Sequence, residues 1–231
     1  MNNKTKIRKL KKIYIVIGGL LLFLLLFIAV GICFFFGKER TNGETYPYNL
    51  GNGVVIEATS EYFGDFLEDG SDRQVRNVWA LTVTNTSDQD IQFLRIKAEY
   101  KNESACFDIT TLTAGSTVQV LESSAAEYPK WEEVCVYKIE NLALFSRERS
   151  LYPEQFTVSA QDGWIKVENI GTEDIANDIY VYFKNVEDGQ FQGGITYRVK
   201  FEGGIPAGEF REEQSIHYRE DTSRIMYLTY E

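Results

Sequence analysis

Side chains capable of covalent or metal chemistry are few: among 231 residues there is one histidine, His217, and three cysteines, Cys33, Cys106 and Cys135. A single imidazole excludes a multi-histidine metal site, and three thiols exclude a four-cysteine zinc site or a disulfide-dense miniprotein. Cys106 and Cys135 have 28 residues between them. In an exported chain they are either a disulfide, which the loop-entropy model credits with roughly 3–4 kcal/mol, or two small buried hydrophobes in separate strands. Cys33 falls in an apolar run and reads as a packing residue. His217, in the run Gln214-Ser215-Ile216-His217-Tyr218, has no nucleophile elbow nearby and reads as a surface histidine on a strand. Glu68-Asp69-Gly70-Ser71-Asp72 and Asp88-Gln89-Asp90 offer oxygen ligands of the kind calcium takes, but lack the twelve-residue loop with its closing Glu, so they read as solvated turns. Gly203-Gly204 reads as a turn and not a phosphate cradle, and the sequons at Asn85 and Asn102 read as chance. No catalytic residue, metal ligand or cofactor is therefore expected.

Charge separates the chain into two environments. Eight of the 24 cations and one of the 34 anions lie in the first forty residues, which leaves 16 and 33 for the remainder and a charge of −17 there. An acidic chain of this kind has no basic face for nucleic acid, so none is expected as a partner. Between Lys12 and Lys38 runs an uncharged stretch, Ile13 to Phe36. At 1.5 Å per residue it spans about 36 Å, enough to cross a hydrocarbon core of about 30 Å. It is longer than the core of a cleaved signal, and its small-x-small segment Ala29-Val30-Gly31 is followed by further apolar residues, so it reads as a retained anchor. Six cations in residues 4–12 place the amino terminus on the cytoplasmic side and the bulk outside. The expected organisation is a basic cytoplasmic tail (1–12), a transmembrane helix (13–36), a linker (37–52), a first β-sandwich module (53–145), a hinge (146–155) and a second β-sandwich module (156–231).

The exported part shows short alternating runs rich in Val, Ile, Tyr, Phe and Thr, broken by Asn, Asp, Gly and Ser, which is the pattern of half-buried antiparallel strands. Strands are expected over Val54–Tyr62, Val75–Thr84, Ile91–Lys101, Ser116–Glu122 and Glu133–Leu142. In the second module they are expected over Phe156–Ala160, Trp164–Asn169, Asp178–Asn185, Gly194–Phe201, Glu209–Tyr218 and Ser223–Tyr230. In Trp79-Ala80-Leu81-Thr82-Val83-Thr84 the residues Trp79, Leu81 and Val83 share the apolar face; in Ile179-Tyr180-Val181-Tyr182-Phe183 the tyrosines oppose it. One helical turn is allowed for Ala125–Glu133.

The two modules repeat one another. Val83-Thr84-Asn85-Thr86-Ser87-Asp88-Gln89-Asp90-Ile91 aligns with Val167-Glu168-Asn169-Ile170-Gly171-Thr172-Glu173-Asp174-Ile175, keeping Val, Asn, Asp and Ile at equal offsets. Downstream, Leu112-Thr113-Ala114-Gly115-Ser116 aligns with Ile205-Pro206-Ala207-Gly208-Glu209. Asn85, Asp90, Ile91 and Gly115, with Asn169, Asp174, Ile175 and Gly208, are thus expected to mark matching turns of tandem copies.

These turns resemble those of the immunoglobulin-like β-sandwich modules of bacterial envelope proteins, in particular the FxLYD-like group. There a strand ending V-x-N-x-G/S leads through a polar turn to the next strand, and an apolar-x-x-G-E/S turn follows. The resemblance covers most of residues 53–231 in two copies; in place of the F-x-L-Y-D run the chain has Ile96-Lys97-Ala98-Glu99-Tyr100 and Val181-Tyr182-Phe183-Lys184-Asn185. It implies an all-β fold of two tandem immunoglobulin-like antiparallel sandwiches behind one transmembrane helix. It also implies a non-catalytic binding or scaffold role at the cell surface, with proteins or cell-wall glycans as partners and no catalytic residues. A subunit of a membrane complex, or a cell-wall enzyme or its accessory, are the alternatives. The tyrosines of the second module, among them Tyr180, Tyr182, Tyr227 and Tyr230, read either as a binding face or as the rim of a sheet.

Overall fold

The computed structural model describes residues 45–100, 103–129 and 135–230. The expected tail (1–12), the expected transmembrane helix (13–36) and Cys33 lie outside the described residues. The elements are all strands, in the order β1 (Tyr48–Gly51), β2 (Val54–Asp65), β3 (Gln74–Asn85), β4 (Ile91–Tyr100), β5 (Glu103–Leu112), β6 (Thr117–Leu121) and β7 (Val136–Leu144). The chain continues through β8 (Phe156–Gln161), β9 (Trp164–Asn169), β10 (Ile179–Glu187), β11 (Gln190–Phe201), β12 (Phe210–Gln214) and β13 (Ser223–Thr229).

Alternation drives the layering. In β3 the buried Trp79, Leu81 and Val83 face the buried Ile91, Leu94, Ile96 and Ala98 of β4 and Ala105, Phe107 and Ile109 of β5, all within one apolar core. Trp79 sits at its centre, edge-on to Tyr100, Phe107 and Tyr137, and its indole N–H donates to Thr59 Oγ1 at 2.7 Å, so the buried ring leaves no polar atom orphaned. A second core collects Phe156, Ile165, Val167, Ile179, Val181, Phe183, Val199 and Phe201.

Strand pairing repeats with the sequence. β3 lies between β2 and β6, and β4 between β5 and β7. In the second half β9 lies between β8 and β12, and β10 between β11 and β13, every pair antiparallel. The two halves then join edge to edge. β6 pairs with β11 in parallel, Phe191 opposite Val118 and Gln192 opposite Gln119, which fuses sheets of both halves into seven strands ordered β1-β2-β3-β6-β11-β10-β13. Both cores belong to one compact unit, Asn42–Glu231.

Several expectations are corrected. The linker ends earlier than residue 52, because Tyr48–Gly51 pairs with β2 as an edge strand. The strand β5 was not anticipated, although Ala105, Phe107 and Ile109 are buried in alternation; its polar first residues, Glu103 and Ser104, break the apolar pattern. The turn expected at Ala125 is not helical in its described part, and Glu127 bridges to Val78 instead. The strand expected over Glu209–Tyr218 stops at Gln214, and a turn closed by Tyr218 N–H to Ser215 C=O carries His217 off the sheet.

Candidate functional site

Both sequence repeats become the same lock. Asn85, fully buried at the end of β3, donates its amide to the carbonyls of Gln89 (2.8 Å) and Leu112 (3.1 Å) and accepts from Ser87 N–H. Asn169, fully buried at the end of β9, donates to Glu173 (2.8 Å) and Ile205 (2.9 Å) and accepts from Gly171 N–H. The backbone repeats as well: Gly115 N–H donates to Asn85 C=O, and Gly208 N–H to Asn169 C=O. Asp90 Oδ1 accepts from Ala114 N–H at 2.8 Å and Asp174 Oδ1 from Ala207 N–H at 2.9 Å. Ile91 faces Leu112, and Ile175 bridges Ile205. Gly115 and Gly208 take φ of +70° and +75°, where a Cβ is disfavoured. The lock is structural, tying each strand end to the turn that follows the next strands.

Cys106 and Cys135 are not bridged. Cys106 lies on β5 opposite Lys97 of β4, whereas Cys135 precedes β7 on the other side of β4. Two strand spacings, about 9.6 Å, exceed the reach of a disulfide, for which Cα atoms must lie within about 7 Å. Cys106 also lies half-buried beside the fully buried Ala105 and Phe107, while Cys135 is buried in the core. Burial pushes the Cys106 thiol up, away from reactivity. His217 is not the open surface residue its polar neighbours suggest. It stacks on Tyr197 at 4.8 Å, its Nδ1 lies 3.3 Å from Asp72, and its side chain is only 22% exposed.

Two features lie at the seam between the halves, of which only the tyrosines of the second were anticipated. The first is a buried charged staple. β11 bulges over Gly193-Gly194-Ile195-Thr196, between the paired positions Gln192 and Tyr197. Lys184 of β10, fully buried, fills that bulge and donates to the carbonyls of Gly194 (3.1 Å), Ile195 (2.8 Å) and, across the seam, Thr110 of β5 (3.0 Å). Three acceptors require three N–H donors, so the geometry selects the ammonium. Glu68, in the turn between β2 and β3, accepts from Leu121 N–H (2.8 Å) and through its second oxygen from Gly194 N–H (2.8 Å). A Cβ on Gly194 would lie 1.8 Å from Asp108 C=O, so this close approach requires glycine.

Burial pushes Glu68 from its ordinary 4.5 up to about 7, against the Leu121 and Gly194 N–H groups and the Lys184 ammonium, which pull it down. Burial likewise lowers Lys184 from 10.5 to about 7, with Glu68 opposing. The folded chain thus holds a proton on Glu68 between pH 4.5 and 7 that the unfolded chain has lost. That contribution to stability is complete below pH 4.5 and is lost as pH rises through about 7, an effect on the order of 3 kcal/mol. In urea denaturation across this range, the native chain is expected to lose that much stability relative to Glu68→Gln. A difference between the two that stays constant with pH would contradict it.

The second feature is a cleft of about 770 Å³ between the hinge and the outer face of the second half's sheet, lined by Phe145, Arg149, Tyr152, Tyr180, Tyr182, Tyr227 and Tyr230 among others. Tyr182 and Tyr227 are directly paired across β10 and β13, and their rings stack at 4.4 Å. Phe145 meets Tyr227 edge-on at 5.5 Å, and Tyr152 meets Tyr230 edge-on at 5.0 Å. Arg149 lies against Phe145 and Tyr227, held by Asp90 Oδ2 at 2.6 Å, so the first repeat's lock also ties down the segment that follows β7. Although burial pushes Asp90 up, Ala114 N–H and Arg149 hold it below its ordinary value. The i, i+2 spacing of Tyr180 and Tyr182 in the sequence signalled a shared face; the residues of 145–152 that line the cleft with them gave no signal.

Among the described residues no group of His, Cys, Asp and Glu is placed to hold a metal ion, and no helix is long and apolar enough to cross a membrane. Compared with protein-family models, with curated proteins and with solved structures, the chain matches none.

Proposed function

We propose that this chain is a membrane-anchored, extracellular, non-catalytic binding protein of the bacterial cell surface, whose two halves are tandem immunoglobulin-like sandwiches presenting the tyrosine-lined cleft. The single observation that carries this reading is that cleft. It lies where two halves meet, its volume of about 770 Å³ is in the range of small-ligand sites, and its lining mixes aromatic rings with a few fixed polar groups. Support for the sandwich architecture comes from the repeated pairing, in which β2-β3-β6 and β5-β4-β7 in the first half correspond to β8-β9-β12 and β11-β10-β13 in the second. The anchor rests on the uncharged Ile13–Phe36 stretch and the cations that precede it.

Crosslinking in intact cells followed by mass spectrometry tests the reading. The native chain is compared with a version carrying an unrelated membrane helix and with the double variant Tyr180→Ala/Tyr182→Ala. The same ligand is expected on the native and helix-exchanged chains, with at least a tenfold loss on the tyrosine variant. Capture that survives the tyrosine variant but vanishes on helix exchange would overturn the cleft and make the chain a subunit of a membrane assembly.

A further inference from the structure

The geometry points to a carbohydrate as the occupant of the tyrosine cleft: a chain of hexopyranose units whose C–H faces lie against Tyr180 and Tyr182. This deepens the binding reading above and rests on it. Both tyrosines project from one face of β10, about 7 Å apart at two-residue spacing, and both line the cleft. Tyr182 is braced from one side by Tyr227 at 4.4 Å, and Tyr180 by the Arg198 guanidinium at 4.9 Å from its ring centre. Rings held in this way lose little side-chain freedom when a ligand docks, which keeps the entropy cost of binding low.

The other lining groups select against the alternatives. An apolar ligand would bury the amide of Gln92, the hydroxyl of Thr229 and the Arg149 N–H groups that Asp90 does not take, whereas a pyranose ring offers flat C–H faces to the tyrosines and hydroxyls at its rim to those polar groups. Arg149 is already oriented, because Asp90 accepts from its Nε at 3.0 Å and its terminal nitrogen at 2.6 Å, two of five N–H donors. A folded protein partner needs a patch of about 800 Å², which a cleft of this volume does not present. Hydrolysis of a glycosidic bond takes two carboxylates, and the cleft has Glu148 alone, so a bound chain is retained and not cut.

Two sources share this chemistry, the peptidoglycan backbone and other wall polysaccharides, and cosedimentation separates them. The full chain in detergent micelles is mixed with purified sacculi stripped of accessory polymers, or in parallel with the released polysaccharide immobilised on beads. Binding to either preparation is expected, weakened at least tenfold by Tyr180→Ala and by Gln92→Ala. Gln92 is solvent-exposed, so its variant tests the cleft even if Tyr180→Ala fails to fold. Trp164, 44% exposed on the outer face of β9 and not among the cleft residues, is the control, and Trp164→Ala is expected to bind as the native chain does. Binding to neither preparation overturns the carbohydrate assignment, as does binding indifferent to Gln92 and Tyr180 or lost with Trp164. If a protein is captured through the tyrosines in intact cells while both glycans fail, the carbohydrate falls and the binding reading stands. If nothing is captured through the cleft in either experiment, both fall.

Discussion

Lys184→Met is expected to lower the unfolding free energy by about 2–4 kcal/mol, because it leaves three buried carbonyls without their donor and a buried polar group without its partner costs about 1–3 kcal/mol. Methionine keeps the length and apolar contacts of the lysine stem, so the loss isolates the ammonium. Without it, the carbonyls of Thr110, Gly194 and Ile195 are stranded at the seam, and Glu68, held by the N–H groups of Leu121 and Gly194, loses the cation that opposes its desolvation. The melting temperature should fall by roughly 10 °C in a chain of this size. Above pH 7, where Glu68 is ionised, Glu68→Gln in the same background should recover part of the loss, because a neutral amide does not need the cation. A coupling energy above about 1 kcal/mol in the double-mutant cycle is the expected readout. If Lys184→Met melts with the native chain, the seam is held by the β6-β11 pairing alone and the staple contributes nothing. Limited proteolysis within 146–155 should also speed up in Lys184→Met, since Thr110 and Lys184 come from opposite halves.

The second large effect is expected at the repeated asparagines. Asn85→Leu and Asn169→Leu each preserve volume but remove two N–H donors and one acceptor from a fully buried site. A buried group left without its partner costs about 1–3 kcal/mol, so each variant should lose about 2–4 kcal/mol in urea denaturation. The sites lie in separate cores and share no partner, so the double variant should approach the sum of the two losses. A near-zero effect at one site with a full effect at the other would mean that the matching bonds are not matching in energy. Aspartate at either position tests the donor specifically, because a carboxylate can accept from Ser87 or Gly171 N–H but cannot donate to the paired carbonyls.

Local chemistry was largely legible. Strands followed from two-residue alternation, because one face of each sheet meets a core and the other meets water. The turn residues followed from the few side chains that can bond a strand end to the next strand. Thus Asn85 and Asn169, Asp90 and Asp174 were found by offset alone, and the structure assigns each pair the same bonds. The tyrosines at 180 and 182 were visible as a shared face for the same reason. β5 was missed because Glu103 and Ser104 hide its alternation, and β1 because four residues of an edge strand carry too little pattern to distinguish from a linker.

What the sequence by itself determined is therefore the all-β class, the faces of most strands and the repeated lock, each a consequence of residues close along the chain. Tertiary structure alone decided the seam. Glu68 and Gly194 are 126 residues apart, Thr110 and Lys184 are 74 apart, and the parallel contact of β6 with β11 crosses from one half to the other. In the linear chain nothing sets Lys184 apart from the other lysines. Its charge becomes structural only where a bulge turns carbonyls inward and the other half covers them, because a buried ammonium is tolerable only with acceptors in place. The separation of Cys106 from Cys135 by β4, and the packing of Phe145 and Arg149 against Tyr227, follow in the same way from which strands became neighbours.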